Sequence, residues 1–215
     1  MKKDPSPNQK MLNTWAIVVI VWSVYRYYFK TDLPIWFDEF IAKPLVFLIP
    51  VYYYITKYEK KPFWKSVDFN VAKTGDIVLG VMAGLFVLVM GMVVYYDKTN
   101  TFLPPFAFSA FFYIVVAFAS SFSEEILSRG FVLKRLYADS KNVYTSVFFA
   151  SFLFFMLHVP ILFSNPAMRG GALIQVMLTD FLLSFGVSLA YLQRKNVLVP
   201  IIIHALYNLA IYLIL

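Results

Sequence analysis

The chain has 215 residues, of which 60% are hydrophobic, 20% aromatic and 14% charged, with no cysteine and a net charge of +7. Ordinary soluble domains run at roughly 45–50% apolar and 25% charged, so an aqueous fold of this size would leave large apolar patches uncovered, and lipid must cover them. The composition also excludes intrinsic disorder. The missing cysteines exclude disulfides and thiolate chemistry, leaving histidine and carboxylates for any metal.

Seven apolar runs, at about 14–29, 37–56, 76–96, 106–122, 143–163, 172–192 and 197–215, predict an all-α, polytopic membrane protein of about seven transmembrane helices. The first run ends in the aromatic and basic belt Tyr25-Arg26-Tyr27-Tyr28-Phe29 with no small-residue cleavage site, so it reads as a span and not as a secretory signal. Lys43, Pro44 and Pro50 interrupt the second run, which predicts a kink or a late start. The fourth is expected to continue as helix to about Ala138, with Gly130 the one break. No repeat or low-complexity segment is visible. Residues 1–103 read as three helices with a basic cytoplasmic loop at 57–75, and 104–215 as the membrane core.

Sorted by alternate sides, Lys2, Lys3, Lys10, Lys57, Lys60, Lys61, Lys65, Lys73, Arg129, Lys134, Arg135, Lys141, Arg194 and Lys195 fall together, against Arg26, Lys30, Lys43, Lys98 and Arg169. That asymmetry predicts the amino terminus inside and the carboxyl terminus outside. It accounts for the net charge without a nucleic-acid partner, the loop at 57–73 included.

Ionisable groups inside spans are costly, so each is a functional candidate: Glu124, Glu125, Arg129, His158, Asp180 and His204. Glu124 and Glu125 are adjacent and point about 100° apart around a helix. Glu125 stands four residues before Arg129, the favourable order for an ion pair. Glu124 shares a face with Ala117, Ser120, Ser121, Ser128 and Phe131, and is expected to be the chemically free carboxylate, suited to a general base. His204 and Asn208 are one turn apart and project together. Straight helices would place His158 about 27 Å, His204 about 12 Å and Glu124 about 21 Å from their inner ends, so convergence requires tilt. Taken singly, either histidine also reads as a hydrogen-bonded core residue. Together with Glu124 and Asn208 the two supply a base, a second proton-handling group and two oxyanion donors, the complement for water attack on an amide. Asp180, followed by Ser184 and Ser188 on its face, reads as a histidine partner, a proton site or a packing acid.

Other intramembrane chemistries lack their spacing here. There is no His-Glu-x-x-His, Gly186-Val187-Ser188 continues with Leu189 and Ala190 instead of glycine, and Asp76 and Asp97 lie at opposite ends of one run.

Glu124-Glu125-x-x-x-Arg129, Phe154-x-x-x-His158 and His204-x-x-x-Asn208 stand in order in separate runs. In this the chain resembles the CPBP family of intramembrane peptidases, the CAAX proteases and bacteriocin-processing or abortive-infection proteins, over about residues 104–215. The resemblance implies a cavity open toward the cytoplasm that cleaves a peptide bond of a lipidated or membrane-associated substrate. It implies that Glu124 and His158 activate water, that His204 and Asn208 stabilise the oxyanion, and that Glu125 and Arg129 support them. A metal-free mechanism is favoured; a zinc ion, if used, would fall to Glu124, His158 and His204. The short loops suggest a prokaryotic cell membrane, with lipids and a peptide or lipidated protein as partners. A non-catalytic bacteriocin-immunity or scaffold protein and a proton-coupled transporter are the competing readings.

Overall fold

The computed structural model describes residues 5–29, 33–101, 110–164 and 170–214, and the regular elements among them are all helical. Lys2, Lys3, Lys30, Arg169 and the start of the fourth apolar run lie outside the described residues.

Helix α1 (Pro7–Val24) starts with proline in its first turn and Ser6 Oγ accepting the Gln9 N–H at 3.2 Å, and runs on through the π-helical turn Tyr25–Phe29. The second run forms α2 (Ile35–Phe37), a π turn (Asp38–Ala42), α3 (Lys43–Tyr54) and a second π turn (Ile55–Glu59). Pro44 sits in the first turn of α3, where a missing N–H costs little, and Pro50 lies inside it. The expected interruption is therefore a π turn, not a break in the chain's helical course. After the short α4 (Phe63–Ser66) come α5 (Thr74–Thr99), α6 (Ala110–Glu125), the π segment Ile126–Leu133, α7 (Lys134–Ser140), α8 (Val143–Ser164), α9 (Gly170–Arg194) and α10 (Leu198–Ile214).

The fourth run continues as helix past Ala138, as expected. The helical course reaches Ser140, but eight residues of it are π-helical. There a Cβ on Gly130 would stand 2.7 Å from the Val67 carbonyl oxygen, so the backbone after α4 sits directly on this segment. The π segment fills the largest buried cluster with Ile126, Leu127 and Phe131, against Trp22, Phe47 and Ile55 from the first two runs.

Helix α5 is inverted by aqueous standards. Its inward stripe is Gly80, Gly84 and Gly91, against Ile202, Leu206 and Ala210 of α10, while Met82 and Phe86 are 65% and 68% exposed. Small residues inward and large ones outward is the pattern of helices packed in lipid, where close backbone approach and not apolar burial holds a pair together. Asp76 pins the start of α5 to the α9–α10 corner by accepting from Arg194 Nε at 2.6 Å and Asn196 Nδ2 at 3.2 Å.

Among the described residues each of the seven expected runs is helical, but four helical stretches there are long and apolar enough to cross a membrane alone: Thr74–Thr99, Phe111–Ser140, Val143–Pro160 and Leu173–Arg194. The others fall short for visible reasons. Asn8, Gln9, Lys10 and Asn13 crowd the start of α1, α3 has 12 residues and opens on Lys43, and the apolar part of α10, Leu198–Tyr212, is shorter than a full span. The chain is an integral membrane protein.

Candidate active site

Helices α3, α6, α8, α9 and α10 meet around the end of α6, where Glu124 and Glu125 immediately precede the π segment. Being adjacent, the two carboxylates diverge and serve different partners. Glu125, 1% exposed, accepts Arg129 Nη1 at 2.8 Å, the ion pair its spacing predicts, and the same Oε1 receives His204 Nδ1 at 2.7 Å. Arg129 Nη2 reaches across to Ser184 Oγ at 2.7 Å and the Ser184 carbonyl at 3.0 Å, and the guanidinium lies 4.4 Å over the Phe154 ring. One arginine thus ties the π segment to α8 and α9.

Glu124, also buried, uses its two oxygens differently. Oε1 accepts Lys43 Nζ at 2.7 Å and Ser120 Oγ at 3.2 Å. Oε2 has no hydrogen-bond partner among the described residues and faces His158 Nε2 at 3.5 Å and His204 Nε2 at 3.7 Å. Both rings are oriented from behind. His158 Nδ1 lies 3.2 Å from the Phe154 carbonyl one turn earlier, and His204 Nδ1 is committed to Glu125. With Nδ1 donating in each case, Nε2 is the nitrogen turned toward Glu124. The Phe154 ring packs against both imidazoles, with centroids 4.7 Å and 5.6 Å away. One turn beyond His204, Asn208 Nδ2 donates to Ser121 Oγ at 3.1 Å, which places the amide on the small-residue face of α6.

The structure therefore brings Glu124, His158 and His204 together, with Glu125 and Arg129 behind them and Asn208 alongside. They converge although straight helices would set them at different depths. Among the described residues Asp180 makes no hydrogen bond to this set; its carboxylate interacts electrostatically with His158 and accepts Tyr207 Oη at 2.6 Å.

Glu124 is not the free carboxylate that its own helix suggests. A helix-face argument sees partners within one helix, and Lys43 arrives from α3, 81 residues away in sequence. The sequence reading likewise counted Lys43 on the outer side, whereas it is 3% exposed inside the fold. A signal was available: Glu39 and Lys43 have the same acid-to-base i,i+4 order inside an apolar run as Glu125 and Arg129, and they pair at 2.5 Å. Among the described residues no group of three or more histidine and carboxylate side chains is disposed to hold a metal ion.

Residues 105–210 match the family model described as type II CAAX prenyl endopeptidase Rce1-like. No curated protein matches the chain significantly. The matched segment contains Glu124, Glu125, Arg129, His158, His204 and Asn208, in agreement with the CPBP resemblance of the three motifs. The chain therefore carries, over residues 105–210, a domain of the Rce1-like CAAX endopeptidase family of membrane proteases.

Proposed function

We propose that the chain is an intramembrane endopeptidase that hydrolyses a peptide bond of a lipidated, CAAX-type, or membrane-associated peptide or protein. The observation that carries this reading is the convergence of two imidazole Nε2 atoms on one buried oxygen of Glu124 that lacks a hydrogen bond. A buried carboxylate oxygen without a donor is costly in a scaffold and useful in a base.

In this mechanism a water between Glu124 Oε2 and the scissile carbonyl gives its proton to the carboxylate as its oxygen bonds the carbonyl carbon. His158, beside the same oxygen, relays that proton to the leaving nitrogen as the C–N bond breaks. His204 and Asn208 donate to the oxyanion. Because His204 Nδ1 is held by Glu125, Nε2 can donate only when the ring is an imidazolium. General acid–base catalysis of this kind contributes typically 10²–10⁴-fold, and each oxyanion donor about 10²–10³-fold. No step is assigned to a metal.

The same reading has all seven runs crossing the cell membrane of a prokaryote, the amino terminus inside, the site opening toward the cytoplasm, and lipids and the substrate as partners without nucleic acid. The test compares terminal peptides of membrane proteins from cells carrying the wild type and Glu124→Gln at equal abundance, by mass spectrometry. Products seen with the wild type alone support the reading, and the residues at the cut identify the substrate class. Identical peptide sets with both proteins stably inserted would overturn it.

A further inference from the structure

Lys43 lies outside the family-matched segment, yet it is the residue closest to Glu124 in the site. The Lys43 ammonium donates to Ser120 Oγ at 2.8 Å and to Glu124 Oε1 at 2.7 Å, and it is ion-paired with Glu39 Oε2 at 2.5 Å. These three contacts hold the charge against Glu124. Ser120 then passes its own proton to the same Glu124 Oε1.

The terminal torsion of a glutamate is broad, so an unrestrained carboxylate is free to turn its plane and its lone pairs away from the histidines. We propose that Lys43 is a positioning residue for Glu124: it holds Oε1 and so leaves Oε2 as the one oxygen presented to His158 and His204. This rests on the peptidase reading and deepens it, because it makes the first half of the chain part of the site. Glu39 completes the device by holding the ammonium from the π turn that precedes α3. A competing role for Lys43 is simple charge compensation of two buried acids, with no consequence for how the Glu124 carboxylate is oriented.

The experiment uses the full chain in lipid nanodiscs with Lys43→Met, Lys43→Arg and the pair Lys43→Met/Glu39→Gln. The pair removes one charge of each sign, so the variant keeps the local balance and is the fold-safe test. Two readouts are taken. One is kcat and KM on the peptide identified by the wild-type and Glu124→Gln comparison. The other is the Glu124 carboxylate stretching pattern, isolated by subtracting the infrared spectrum of Glu124→Gln, which reports unequal binding of the two oxygens and needs no substrate. For the pair we expect an unfolding midpoint near wild type, a changed stretching pattern, kcat lower by about 10²-fold as for a misplacement near 1 Å, and KM within about twofold. Lys43→Arg is expected to recover part of kcat. A pair variant with wild-type kcat and an unchanged spectrum overturns the role of Lys43 and leaves the peptidase reading standing. A changed spectrum in a protein whose wild type cuts nothing keeps Lys43 as the residue that orients Glu124 and removes the peptidase reading.

Discussion

Helix α10 carries His204 and Asn208, so its separation from α5 sets where two of the proposed site residues stand. A Cβ at Gly91 would lie 2.5 Å from Ala210 Cβ and 3.3 Å from Ala210 Cα. Optimal carbon contacts are about 3.5–4.0 Å, so Gly91→Ala demands roughly 1 Å of separation, and with a methyl facing a methyl the backbone has to provide it. At Gly84 the conflict is different: the nearest atom, at 2.4 Å, is Leu206 Cδ1, the far end of a flexible side chain, with Cβ at 3.1 Å. We therefore expect Gly91→Ala to cost about 1–3 kcal/mol of stability and to displace Asn208, two residues before Ala210, enough to lower product formation by up to about 10²-fold. Gly84→Ala should cost less on both counts. Gly186→Ala, with nothing within 4 Å of the added carbon, is the control. The double change Gly91→Ala/Ala210→Gly moves the methyl across the seam and should restore both properties. Unfolding midpoints in nanodiscs and Glu124-dependent product formation measure them. If Gly91→Ala behaves like Gly186→Ala, or the swap restores neither property, the seam does not set the position of α10.

Arg129→Leu strands Glu125 without its cation and should destabilise by about 3–5 kcal/mol, while Glu125→Gln/Arg129→Leu recovers much of that; chemical or thermal unfolding of the two variants decides it. Asn208→Ala removes one hydrogen bond to Ser121 and should leave the fold within about 1 kcal/mol, yet lower product formation by about 10²–10³-fold if the amide donates to the oxyanion; an unchanged rate would remove it from that role. Tyr207→Phe leaves Asp180 buried without its donor and should cost about 1–3 kcal/mol. If its cleavage rate falls by more than the folded fraction accounts for, Asp180 belongs to the site. Lys141 closes α7 with φ of 54°, a left-handed conformation that suits glycine, so Lys141→Gly should be neutral or stabilising by up to about 1 kcal/mol in the same unfolding measurement.

What could be read from the sequence was whatever lives within one helix or one motif. The helical runs follow from apolar length, and the Glu125–Arg129 pair follows from four-residue spacing, because both partners ride on the same backbone. The convergence of Glu124, His158 and His204 does not follow in that way. Distances along straight helices put them at different depths, and what brings them together depends on contacts with other parts of the chain, such as Gly84 against Leu206 and Gly130 against Val67, which no single helix records. The π segment after Glu125 is equally invisible to a periodicity of 3.6, since its residues are as apolar as those of an ordinary turn. Asp180 could be narrowed only when Tyr207 was found donating to it from α10.

Lys43 shows why a positive charge in an apolar run should be asked for its acid before it is assigned to a membrane face. Counting charges by side assumes that each cation stands in water, yet Lys43 and Arg129, placed on opposite sides by that count, are both buried, and besides its own i−4 acid Lys43 meets Glu124 and Ser120 while Arg129 meets Ser184. The two pairs share a form, acid then base one turn later, and in each the base also bonds a group on another helix. Such a pair is neutral enough to be inserted with its own helix and still has a free donor when the helices assemble. Glu39–Lys43 then meets Glu124, Glu125–Arg129 meets Ser184, and the third acid in the cluster is the one left facing two histidines. On this view the cluster is assembled by closing one helix's ion pair onto another helix, and the proposed reactive group is the carboxylate for which no cation was brought on the same helix.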